Sequence, residues 1–169
     1  MLEKLPTLID PKHLALQGSH LQGNVALAQM ERLKDNLDEI GPSDYAYIDW
    51  VFTIDQNRPM IKGYTQAQLP ILCQRCLQTM RWPIKNKIAM LIITKNGKED
   101  ELPKDYEILS LTNTPVSLVT IIEDELILAL PIVALHEKCP TNEYQLPDSF
   151  SLDNTFQNNP FRVLEILKN

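Results

Sequence analysis

The sequence predicts an α+β fold. It consists of an antiparallel sheet of four to six strands, curling toward a barrel, with a buried helix, a peripheral helix and a short C-terminal helix. Three observations carry this. Residues 44–55 alternate between apolar and polar, as a half-buried strand does. Two more strand-like runs, 60–72 and 81–93, flank Cys73-Gln74-Arg75-Cys76 and make a hairpin tipped by two cysteines. Residues 25–40 and 116–130 carry apolar side chains at helical spacing.

The chain has 169 residues, enough for one domain with a proper core. Residues 1–140 read as that domain, and 141–169 as a polar tail ending in a short amphipathic helix. The longest apolar run, 116–130, is broken by Glu123, Asp124 and Glu125, so a membrane span is not expected. The start, Met1-Leu2-Glu3-Lys4-Leu5-Pro6, lacks the basic-then-apolar pattern of an export signal. Three cysteines without such a signal predict a reducing, cytoplasmic setting, where metal ligation or reduced thiols are favoured over disulfides. Net charge is −6, with a pI near 5.0. Phosphate-led binding over the whole surface is therefore not expected, and any RNA contact needs a local basic patch. The acidity also suits a basic protein partner, or plain solubility.

Leu5, Leu8 and Ile9 read as a short strand closed by Asp10-Pro11, and residues 13–22 as another. His13 and His20 have no ligand-forming neighbour at metal spacing, so they read as surface or packing residues. Residues 25–40 place Leu27, Met30, Leu33, Leu37 and Ile40 on one helical stripe, with Asn24 as N-cap and Gly41-Pro42 as the stop. In 44–55, Ala46, Ile48, Trp50, Phe52 and Ile54 share a face. Residues 56–59 are a turn, and Gly63 marks a bulge or twist point in the next strand. Residues 106–111 form a fourth strand. The helix at 116–130, capped by Thr114 or Ser117 and ended by Pro131, is apolar nearly all round and should be buried. Its acidic trio reads as a polar stripe, as a partner for Arg75 or Arg81, or as a general acid and base pair.

Cys73-x-x-Cys76 is the usual first half of a tetrahedral metal site. The remaining cysteine, Cys139, follows His136 by three residues, which completes a three-sulfur, one-nitrogen set for structural zinc. Four protein ligands would close such a site and leave no open position for catalysis. A thiol redox role is disfavoured, because Cys73 follows a strand where a redox pair would open a helix. No Gly-rich phosphate loop or nucleophile motif is present.

Four features in order resemble the YceD family. They are Leu72-Cys73-Gln74-Arg75-Cys76-Leu77, the run from Glu123 through Leu130-Pro131, the His136 and Cys139 pair, and the terminal Asn159-Pro160-Phe161 with Leu164, Leu167 and Lys168. Bacterial members are called large ribosomal RNA subunit accumulation proteins. The resemblance implies a non-enzymatic ribosome-biogenesis factor that supports synthesis, processing or stability of large-subunit ribosomal RNA. An RNA-binding patch would combine Arg75, Arg81, Lys85 and Lys87, with Trp82 for base stacking. The alternative is an adaptor for a basic ribosomal or assembly protein that does not touch RNA. It would use the acidic residues Glu99, Asp100 and Glu101 with Phe161, Leu164 and Leu167.

Overall fold

Long alternating runs joined by tight turns build the centre of the fold. The computed structural model describes residues 5–94 and 106–139. In chain order the strands are β1 (Leu8–Ile9), β2 (His20–Ala26), β3 (Tyr45–Asp55), β4 (Arg58–Leu72), β5 (Thr79–Thr94), β6 (Glu107–Leu111) and β7 (Val116–Ser117). The α-helices are α1 (Pro11–Gln17), α2 (Glu31–Lys34) and α3 (Leu118–Leu128), with a 3₁₀ turn at Leu27–Gln29.

The main sheet has the order β2-β3-β4-β5-β6, and β1 pairs with β7 in a separate two-stranded ribbon. The alternation in β3 sends Ala46, Ile48, Trp50 and Phe52 into the core. At the β3–β4 turn both Gln56 and Asn57 have positive φ, which gives a two-residue hairpin turn whose twist matches its strands. Gly63 holds a φ of +150°, and a Cβ there would stand 1.9 Å from the Asp49 carbonyl oxygen. Pairing runs unbroken through Trp50↔Gly63 and Gly63↔Ile88, so Gly63 marks a close backbone approach and not a bulge. Pro83 sits in β5 where, among the described residues, that strand has only β4 beside it, because β6 joins from Met90 onward.

The inner face of the sheet is covered by α1 against β3 and β4, and by α3 against β4 and β5. Trp50 is fully buried, and its indole N–H donates to the buried Thr65 hydroxyl at 3.1 Å. Ser117 caps α3 by accepting from the Thr120 N–H at 3.3 Å. The expected buried helix is thus present, two residues shorter at each end than 116–130.

Three expectations are corrected. The sheet is mixed, because β5 and β6 run parallel, and it is open along β2 and β6 among the described residues, so it does not close into a barrel. Residues 11–17 form a helix where a strand was expected. Asp10 accepts from the His13 N–H, Pro11 occupies the first turn, and Gly18 ends it in the left-handed region. The peripheral helix at 25–40 is not one helix. Val25 and Ala26 finish β2, and only the 3₁₀ turn and the four residues of α2 are helical. Val25, Leu27, Met30 and Leu33 are nonetheless buried, so core contact produced the spacing without a continuous helix. The tail and its terminal helix lie outside the described residues.

Candidate metal centre

The tip of the β4–β5 hairpin is a tight turn. The Cys73 N–H donates to the Gln78 carbonyl at 3.0 Å and the Leu77 N–H to the Cys73 carbonyl at 2.9 Å. Leu77 takes a positive φ of 57° to close it. After α3 the chain runs back across this tip. Ala134 is buried there, and its carbonyl accepts the Gln74 N–H at 2.8 Å. That contact delivers His136 and Cys139 to the two hairpin cysteines.

The four side chains converge. One ligand atom from each of Cys73, Cys76, His136 and Cys139 lies within 4.8 Å of all the others. The Cys73 and Cys139 sulfurs are 3.7 Å apart, and Cys76 Sγ is 3.3 Å from His136 Nδ1. None of the three cysteines forms a disulfide. A zinc ion with bonds of about 2.3 Å to sulfur and 2.0 Å to nitrogen makes tetrahedron edges of roughly 3.8 Å (S···S) and 3.5 Å (S···N). The observed separations fit that size. Cys73 and Cys76 are buried, while His136 and Cys139 are part-exposed.

The surroundings favour a thiolate at Cys73. Burial opposes its charge, but N–H groups of His136, Cys76 and Arg75 bring the thiol down to about 5. The His136 N–H lies 3.4 Å from that sulfur. Burial pushes Cys76 up. Arg75 Nε donates to Cys139 Sγ at 2.9 Å and its Nη2 to the His136 carbonyl at 2.9 Å. Three thiolates and a neutral imidazole around a bound dication would leave one net negative charge, which this guanidinium is placed to offset. A closed four-ligand set of this kind supplies cross-linking, not an open coordination position.

The other sequence-derived candidates are spread over the molecule. Arg75 belongs to the knuckle. Arg81 is ion-paired with Asp44. Trp82 is on the inner face of β5 beside Leu69, part-buried against the core. Lys85 and Lys87 stand exposed on the outer face. Glu99, Asp100, Glu101, Phe161, Leu164 and Leu167 lie outside the described residues. The acidic trio divides between two partners. Glu123 accepts from the Arg32 and Leu33 N–H groups at 2.6 and 3.1 Å and pairs with the Arg32 guanidinium. Burial works against its charge, but those N–H groups and Arg32 prevail and hold it below the usual carboxylate range. Asp124 pairs with the same guanidinium, and Glu125 accepts from Asn86 at 2.9 Å. Burial first, then the charges of Glu107 and Asp124, push Glu125 up to about 7. Arg32, rather than Arg75 or Arg81, is the partner of Glu123 and Asp124. Sequence alone could not find it, because it lies 91 residues away.

Fold and site together define a class: an α+β domain whose central hairpin is tied at its tip to the chain beyond α3 by a Cys₃His cluster. The family model described as "Large ribosomal RNA subunit accumulation protein YceD" matches residues 61–168. The large ribosomal RNA subunit accumulation protein YceD of Haemophilus influenzae is 30% identical over 174 residues, spanning 98% of this chain and 97% of that protein. The chain belongs to the YceD family. No solved structure matches it.

Proposed function

We propose that the chain is a non-enzymatic ribosome-biogenesis factor that supports accumulation of large-subunit ribosomal RNA, with a structural zinc ion in the knuckle. The observation that carries the role is its end-to-end similarity to a relative of that name, 98% of one chain against 97% of the other. The chemistry of the described residues agrees with a non-catalytic part. Glu123 and Asp124 are engaged by Arg32, and the cysteines form a closed donor set. The three cysteines in reduced form suit a cytoplasmic setting.

Cells lacking the protein are expected to show a lower ratio of large- to small-subunit ribosomal RNA, restored by the wild-type gene. An unchanged ratio would reject the role. For the metal, the purified full chain should carry about one zinc per molecule by elemental analysis, with Cys73→Ser losing it. Equal metal content in the two proteins would reject the zinc.

A further inference from the structure

The outer face of the β4–β5 hairpin has a character of its own. Side chains alternate along both strands, so residues opposite one another across the ladder share a face. The register sets Tyr64 opposite Lys87, Gln66 opposite Lys85 and Lys62 opposite Ala89. With Tyr106, just before β6, this face lines an open cleft of about 670 Å³. That lies within the roughly 300–1,000 Å³ range of small-ligand sites.

The chemistry of the cleft is basic and aromatic. Lys85 Nζ stands 5.9 Å from the Tyr64 ring centroid, a cation–π distance. Lys85 and Lys87 are exposed and take part in no ion pair among the described residues. Lys62 reaches Asp55 at 2.7 Å. The Tyr64 hydroxyl donates to Asp49 Oδ2 at 3.1 Å, while Asp49 Oδ1 is 2.7 Å from His20 Nε2. This fixes the Tyr64 ring and engages the Asp49 carboxylate. Tyr47 continues the aromatic row onto β3, its ring centroid 6.5 Å from that of Tyr64. On a chain of net charge −6, Lys85 and Lys87, in no ion pair among the described residues, make a local positive patch, while Lys62 is offset by Asp55.

We propose that this cleft holds a nucleotide of single-stranded RNA, its base against Tyr64 and its phosphates against Lys85 and Lys87. The inference rests on the ribosomal RNA role above and adds a contact surface to it. An acidic peptide would satisfy the lysines but would make no use of the tyrosine faces. A base does, and only an unstacked base can reach them.

The test uses the full chain and fluorescently labelled oligouridine, with anisotropy measured across a salt series. Lys85→Ala combined with Lys87→Ala should weaken binding and reduce the slope of log affinity against log salt by about 1.4, from roughly 0.7 per phosphate contact. Tyr64→Ala should weaken binding about tenfold at an unchanged slope, while Tyr64→Phe retains most of it. Thermal melting near the wild-type temperature shows that each variant is folded. Binding unchanged in both alanine variants overturns the cleft and leaves the ribosomal RNA role standing. Polyglutamate competing as well as oligouridine overturns it in favour of an acidic-peptide surface. Wild-type protein that binds no RNA also overturns it, while the ribosomal RNA ratio in cells tests the broader role separately.

Discussion

The two ends of the central hairpin are held by different physics. Around Trp50, Phe52 and Ile61 the sheet is stabilised by burial, with side chains removed from water. At the tip, apolar cover is thin: Leu77 is 67% exposed and nearby Ile132 96%. There the clustered sulfurs and imidazole and a few backbone bonds stand in place of apolar packing. A core of this kind is insensitive to redox state and metal supply, whereas a knuckle holding the proposed zinc would depend on both.

The strongest way to break this comparison is in the core. Phe52→Ala is expected to cost about 3–5 kcal/mol, read as a lower urea midpoint with an unchanged slope. A loss below about 1 kcal/mol would mean the sheet centre is not the stabilising region. Next comes a titration that shows where the core is not purely apolar. Glu125 is 4% exposed, and its folded value of about 7 lies above its ordinary 4.5. Its contribution is therefore complete below about pH 4.5 and is lost as pH rises through about 7. Glu125→Gln keeps a neutral side chain of the same shape. It should flatten stability across that window and gain roughly 1–3 kcal/mol on the alkaline side. Parallel wild-type and variant curves would reject this. The smallest global effect is expected at the tip. Cys76→Ser should strip hydrogen-exchange protection from the Gln74 and Leu77 amides while leaving the β3–β4 amides protected. Loss of protection throughout would show that the knuckle holds the whole domain.

The sequence made the two ends unequally readable. The alternation of residues 44–55 exposed β3 directly, because a half-buried strand must alternate. The clustering of Cys73, Cys76, His136 and Cys139 was readable because the two pairs together make a complete tetrahedral donor set. Strand direction was not readable at β6, since alternation is the same in parallel and antiparallel pairs. The stretch after β2 deceived because residues at positions 27, 30 and 33 can all be buried by a 3₁₀ turn and one α-turn. For α1 the signals were present in Asp10, Pro11 and Gly18, but Asp10-Pro11 reads equally well as a stop. The outer-face row of Tyr47, Tyr64 and Lys62 stayed hidden because strand register, which sequence does not fix, brings it together with Lys85 and Lys87.

The capping of α2 has a consequence for the order of synthesis. A four-residue helix cannot nucleate alone, and its N-terminal N–H groups are satisfied by Glu123 rather than by a neighbour. On the translating ribosome, residues 31–34 emerge about ninety residues before that carboxylate. The cap of this turn is therefore complete only once α3 has been made and has docked. One side chain near the end of the described chain thus completes a piece of its beginning.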